Sequence, residues 1–293
     1  MITVMGATGN TGKKITESLL KAGEKVRALG RSESKLAELK CAGAEVLAGD
    51  TNDAAFLTKA FRAVDAVYTL VPTDQRARDY RAEQDRQGEA IVKAIRESGV
   101  RFVVALSSMG ADLTERTGVI AGSHAQEERL KRIDNINLLL LRPVSFFENF
   151  CSSLALIKQE GINGDSVEAN LAIPMVATRD IANAAVNALK WRDWKGVVVR
   201  ELLGPRDISY SEATRILGGR IGKPDLQYVQ FSYDDQAQAL AQAGLSESFA
   251  KLYVEMTRAF NEGTIKPVRT RENTTPTRFE DFADEWASAY EAM

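Results

Sequence analysis

Short apolar runs alternate with stretches of helical periodicity through the first half of the chain, the pattern of a parallel sheet wound with helices. Six strands are predicted, at Ile2 to Met5, Lys25 to Leu29, Ala44 to Ala48, Ala66 to Val71, Phe102 to Leu106 and Asn137 to Leu141. Glycines close the helices between them, where a left-handed cap is wanted: Gly23 after Leu19-Leu20, Gly43 after Leu39, and Gly99 after Ile91 and Ile95. Beyond Pro143 the alternation loosens into a helix from about Glu148, a loop rich in Gly, Asn and Asp from Gly161 to Asp165, and a helix starting near Asp180. A seventh strand follows at Val197 to Leu203, and Ser209-Tyr210-Ser211-Glu212 has the spacing of a capping box. The tail is mainly helical, and its last helix repeats Phe279, Phe282, Trp286 and Tyr290 at near-helical spacing, which reads as a core face. The fold expected is α/β, a Rossmann-type doubly wound parallel sheet over residues 1–150, to which 174–203 return. Residues 151–173 and 204–293 form a smaller, mainly helical lobe for substrate.

Composition narrows the function classes. The chain has 293 residues, 44% hydrophobic and 27% charged, which is ordinary globular material and long enough for one sizeable core and a lesser one. With 38 Lys and Arg against 40 Asp and Glu, the net charge of -2 supplies no field that would gather nucleic acid. The densest charged stretch, Asp79 to Arg86, interleaves Arg81 and Arg86 with Glu83 and Asp85, and reads as a solvated helix face. Cys41 and Cys151 stand far apart without Cys/His spacing for zinc, so neither a disulfide framework nor a metal is expected. The first residues run straight into a glycine motif, and no apolar run reaches membrane length. A cytoplasmic protein is expected, without nucleic acid or membrane as partner, and a homodimer is compatible with this composition.

The clearest chemical signal is Gly6-Ala7-Thr8-Gly9-Asn10-Thr11-Gly12, which follows the first strand and opens the first helix. Gly6 suits a tight turn, Gly9 leaves room for a pyrophosphate, Gly12 allows helix and sheet to pack closely, and free N–H groups at the helix start favour phosphate charge. The end of the second strand, where a free ribose 2′-hydroxyl is usually gripped by an acid, instead holds Gly30-Arg31-Ser32. A guanidinium at Arg31 suits a 2′-phosphate, with Ser32, Ser34 and Lys35 near enough to assist. NADPH is therefore the cofactor expected.

Gly49-Asp50-Thr51-Asn52-Asp53, Leu141-Arg142-Pro143, Phe147-Glu148-Asn149 and Thr277-Arg278-Phe279-Glu280-Asp281-Phe282 together carry a resemblance that spans nearly the whole chain. It resembles the NmrA-like group of atypical short-chain dehydrogenases, which includes redox-sensing transcription co-regulators, NAD(P)H:quinone reductases, and azo and triphenylmethane dye reductases. The resemblance implies that Asp50 and Thr51 border the adenine and that Val71-Pro72-Thr73 pass beside the nicotinamide half. Asp50 could equally cap a turn. None of the tyrosines has a lysine four residues on, so the Tyr-x-x-x-Lys pair of ordinary members is missing, which argues against an alcohol dehydrogenase or epimerase.

The resemblance also sets His124, the only histidine, where relatives carry a catalytic lysine or histidine. Ser107 and Ser108, at the end of the fifth strand, are candidates to hydrogen-bond an acceptor carbonyl or to cap a loop. Met109, Phe146, Phe147 and Asn149 would line the substrate pocket, with interlobe packing as the alternative. Two functions follow: a reductase passing hydride from NADPH to a small aromatic acceptor such as a quinone, azo compound or triphenylmethane dye, or a redox sensor that binds the dinucleotide without turning it over.

Overall fold

The apolar runs of the first half become strands, and all but the edge strand at residues 45–48 are largely buried on both faces, as a parallel sheet covered by helices requires. The computed structural model describes residues 1–72 and 74–292. Strands and helices alternate through β1 (Ile2–Val4), α1 (Asn10–Lys21), β2 (Val26–Gly30), α2 (Glu33–Cys41), β3 (Glu45–Ala48), α3 (Ala54–Phe61), β4 (Ala66–Thr69), α4 (Tyr80–Ser98) and β5 (Phe102–Leu106). The chain goes on through α5 (Ala121–Lys131), β6 (Asn137–Pro143), α6 (Leu154–Glu160), β7 (Ile162–Asp165), α7 (Thr178–Trp191) and β8 (Val197–Leu202). It ends with α8 (Tyr210–Arg220), β9 (Gln227–Gln230), α9 (Tyr233–Gln242), α10 (Glu247–Asn261) and α11 (Phe279–Glu291).

Seven strands form one sheet in the order β3-β2-β1-β4-β5-β6-β8, every pair parallel. This is the Rossmann-like α/β architecture. Alternate residues of a strand enter opposite cores: Tyr68, Val104 and Leu139 pack toward α1 and α7, whereas Val67, Val103 and Leu140 pack toward α3 and α4. The reversal of strand order between β1 and β4 opens a crevice at the carboxyl edge of the sheet, where the following loops meet. A third core, among α8, α11 and the segment after β6, buries Phe279, Phe282 and Trp286, so the predicted apolar face of the last helix is core.

All seven predicted strands are present, with ends shifted by one or two residues, and the three glycine caps have left-handed backbones. Leu70 and Val71 leave the sheet because they border the crevice instead. The predicted loop Gly161 to Asp165 is in fact β7, paired in parallel with β9 from the tail that reads as helical. Gly164 suits that pairing for a reason local sequence does not reveal, since a Cβ there would lie 2.2 Å from the ring of Phe231. The helix expected from Glu148 begins as a 3₁₀ turn over Phe147–Ser153 before α6.

Two polar expectations also change. Ser209 caps α8 by accepting from the Glu212 N–H at 3.1 Å, but the Glu212 carboxylate pairs with Arg206 at 2.9 Å instead of closing a capping box. In α4 the charged stretch is not uniformly solvated: Glu83 is buried and accepts from Gln87 and Asn52, with Arg86 paired to it at the surface. The Asn52 bond ties α4 to the loop after β3.

Candidate functional site

The turn after β1 closes on itself through a Gly9 N–H to Gly6 carbonyl bond of 2.8 Å, with Gly6 at a φ of +62°. A side chain at Gly12 could not be accommodated, because its Cβ would lie 2.2 Å from the Gly6 oxygen. Helix α1 therefore starts hard against the turn. No side chain caps it and no acid occupies its first turn, so N–H groups at this end face the crevice free to receive an anion. Tyr68, fully buried in β4, donates to the Thr11 hydroxyl at 3.0 Å and steadies this cradle from below.

The cradle is one end of a continuous cavity of about 740 Å³. Gly6, Thr8, Gly9, Asn10, Thr11, Arg31, Thr51, Val71, Pro72, Ser107, Ser108, Phe146 and Asn149 all line it, so most of the residues expected at a dinucleotide and acceptor site come together. Arg31 lies exposed just past β2, and among the described residues no Asp or Glu pairs with it. A free guanidinium beside an uncapped helix start fits the phosphates of a dinucleotide.

Other expected residues lie off the cavity wall. Gly12 serves the packing of the turn. Ser32 shares a hydrogen bond of 2.8 Å with Ser34, and Lys35 is exposed on α2. Asp50 caps its own turn by accepting from the Asn52 N–H at 2.9 Å, leaving Thr51 at the wall. Met109 and Phe147 are core residues, Phe147 meeting the ring of Phe279 edge-on at 5.0 Å. Thr73 lies outside the described residues.

His124 is also off the cavity wall. Its Nδ1 lies 2.9 Å from the Ala111 carbonyl, an arrangement in which that nitrogen carries the proton and tethers α5 to the loop after β5. Its helix presents Ser123 and Gln126 to the cavity instead. The two serines are likewise committed as donors, Ser107 to Glu127 at 2.6 Å and Ser108 to the Met109 carbonyl at 3.0 Å. Neither therefore offers its proton to an acceptor carbonyl, although the Ser107 oxygen remains able to accept.

Beneath Ser107 is a buried ion pair that local sequence reasoning missed. Glu127, with its side chain 1% exposed, receives Arg142 through two bonds of 2.8 and 2.6 Å, and that pairing raises the guanidinium pKa further. Also missed is Glu148, which lines the cavity and accepts from the Thr178 N–H at 3.0 Å to cap α7. The far end of the cavity comes mostly from beyond β6: Phe150, Asp165, Tyr210, Phe249, Tyr253 and Met256 line it. A search for Tyr-x-x-x-Lys passes over Tyr210 and Tyr253 because their neighbour at the site is Asp165, on a different element.

Among the described residues no group of three His, Cys, Asp or Glu is placed to hold a metal ion. No helix of the described residues is long and apolar enough to cross a membrane.

Comparison with known proteins gives the same picture over the full chain. The model of the NmrA-like family matches residues 1–284. Relatives include a (4-alkanoyl-5-oxo-2,5-dihydrofuran-3-yl)methyl phosphate reductase of Streptomyces griseus, 29% identical over 99% of both chains. An NAD(P)H azoreductase of Xenophilus azovorans is 26% identical over 100% of both, and quinone oxidoreductase 2 of Escherichia coli is 28% identical over 90% of both. Among solved structures, an Escherichia coli NADPH-dependent quinone oxidoreductase in complex with NADPH superposes with a TM-score of 0.80 at 23% identity, covering 97% of this chain and 99% of that one.

Proposed function

The chain belongs to the NmrA-like family, and from that membership we propose that it is an NADPH-dependent reductase that passes hydride to a small aromatic acceptor such as a quinone, an azo compound or a triphenylmethane dye. The observation that carries this reading is the single cavity running from the glycine turn of α1 to the aromatic wall of the smaller lobe. A sensor that only held a dinucleotide would have no use for the second end.

The uncapped start of α1 would hold the pyrophosphate, and Gly9 would leave it room to approach. Arg31 would hold the 2′-phosphate, while Thr51 would border the adenine and Val71-Pro72 the nicotinamide half. Bound there, the cofactor supplies the hydride. The protein's own residues hold the acceptor beside it, and Ser107, held by Glu127 and Arg142, offers its oxygen as an acceptor to whatever lies against β5. Hydride transfer to an electron-poor ring needs little acid or base from the protein, which is consistent with the missing Tyr-x-x-x-Lys pair.

Two outcomes are expected. Purified protein oxidises NADPH when offered menadione or an azo dye, followed by loss of nicotinamide absorbance, whereas binding without turnover across quinones, azo dyes and triphenylmethane dyes would favour the sensor. His124→Ala costs about 0.5–1.5 kcal/mol of stability through its lost tether. It leaves that turnover within about threefold, far short of the 10²–10⁴-fold effect of removing a general acid.

Arg31→Ala weakens NADPH binding by roughly tenfold or more, the worth of a charge-assisted phosphate contact of about 1.5–3 kcal/mol, and leaves NADH binding nearly unchanged. Titration of both dinucleotides decides this. A variant that keeps the wild-type preference for NADPH would show that the 2′-phosphate is read elsewhere.

A further inference from the structure

Asp165 stands at the end of β7, in the wall of the acceptor end of the cavity, and its position is held from several sides. Strand β9 pairs with β7, and the Tyr228 hydroxyl sits 3.0 Å from the Asp165 carbonyl oxygen and 2.6 Å from that of Val167. One carboxylate oxygen accepts from the Tyr253 hydroxyl at 2.7 Å and the other from the Val167 N–H at 3.2 Å. These partners are neutral, and among the described residues no Lys or Arg pairs with the carboxylate. The other charged residues of the cavity wall are Arg31, at the cofactor end, and Glu148, which is bound to Thr178.

A carboxylate partly withdrawn from water without a counter-ion carries a cost, which falls when a cation arrives to pair with it. The surroundings suit such a cation. Phe150, Tyr210, Phe249 and Tyr253 line the cavity around Asp165, with the Phe150 and Tyr210 rings 5.1 Å apart, and aromatic faces attract positive charge.

Resting on the reductase reading of this cavity, we propose that Asp165 and the aromatic rings beside it form a subsite for positive charge, so that the preferred acceptor is a cationic aromatic electrophile, an iminium or carbenium-type ion, rather than a neutral quinone. The redox balance suits this class. One hydride from NADPH forms one C–H bond at the electron-poor carbon, the acceptor's positive charge is cancelled, NADPH becomes NADP⁺, and no proton has to be delivered. That agrees with a site where Ser107 and Ser108 already donate elsewhere and His124 is turned to Ala111.

Only the ionised carboxylate attracts the cation. Burial raises the Asp165 pKa, so attraction is full above that raised value and fades as pH falls through it. The titratable groups facing Asp165 are Tyr210 from α8, Tyr228 from β9 and Tyr253 from α10, and burial pushes all three hydroxyls upward, so they stay neutral throughout.

The test uses full-length protein loaded with NADP⁺, so that no hydride moves, and measures equilibrium binding of N-methylacridinium as the cation and menadione as the neutral comparator. We expect Asp165→Asn to weaken N-methylacridinium by about tenfold or more and menadione by no more than about twofold. Wild-type affinity for the cation should fall as the pH is lowered through the raised Asp165 pKa while that for menadione stays flat. Equal weakening of both probes, or a wild-type cation affinity independent of pH, would overturn the proposal; the pH series needs no variant, so it decides even if Asp165→Asn fails to fold. NADPH oxidation by the wild type with either probe is scored separately: turnover with menadione but no charge preference in binding leaves the reductase reading standing and removes the subsite. Charge-selective binding without turnover of any acceptor does the reverse.

Discussion

Gly9→Val is expected to lower NADPH affinity by about a hundredfold or more, equivalent to roughly 2.7 kcal/mol, while the thermal midpoint moves by only a few degrees. The backbone at Gly9 is extended, and a Cβ there would meet only the Gly6 oxygen, at 3.3 Å, so the turn needs only a small shift to take a side chain. The branched methyl groups would occupy the approach to the free N–H groups of α1, which is where phosphate oxygens must come within hydrogen-bonding distance. Gly12→Ala separates the two effects: its Cβ would lie 2.2 Å from the Gly6 oxygen and 2.6 Å from the Gly6 carbonyl carbon, so it damages the turn and lowers stability as well as binding. Dinucleotide titration and a melting curve on both variants are the measurements. A folded Gly9→Val protein that binds NADPH normally would remove the phosphate role of this helix start.

Arg142→Ala is expected to destabilise the protein by about 3–5 kcal/mol, the usual consequence of stranding one member of a buried ion pair. Glu127 would keep the Ser107 hydroxyl at 2.6 Å and Lys131 at 3.3 Å, but would lose both short bonds from the guanidinium. Replacing the pair together, as Glu127→Leu with Arg142→Met, should cost much less than the single change, because no buried charge is left unpaired. Urea unfolding of the two proteins tests this. A loss below about 1 kcal/mol in Arg142→Ala would mean that Glu127 finds water or Lys131 sufficient, and that the pair does not hold β6, α5 and Ser107 together.

Much of the cofactor end was legible because its information is local. A glycine turn, a strand before it, a helix after it and an arginine at the next strand end lie within the first 31 residues, and hydrophobic period and turn chemistry read such stretches directly. The acceptor end was not legible in the same way. Asp165 meets Tyr253 across 88 residues, Tyr228 reaches Asp165 across 63, and β7 becomes a strand only because β9 pairs with it. Taken alone, Gly161 to Asp165 has the composition of a loop.

Residue type leaves the role open where one group could do two things. A lone histidine suits proton exchange and equally suits a tether, and the structure shows the tether, with the Ala111 carbonyl 2.9 Å from Nδ1. Asp50 could border a base or cap a turn, and the backbone brings the Asn52 N–H to it. Phe146 and Phe147 are adjacent aromatics, yet one lines the cavity and the other fills the core against Phe279.

The sequence by itself thus determined the sheet, the glycine caps and the anion cradle, since each depends on periodicity or backbone freedom within a few residues. Only the tertiary structure decided which side chains of the carboxyl edge face the cavity, which donors are already engaged, and that a carboxylate with neutral partners stands among aromatic rings. Most of those outcomes depend on contacts between residues distant in sequence, whose geometry is set by how the elements pack and not by local preference.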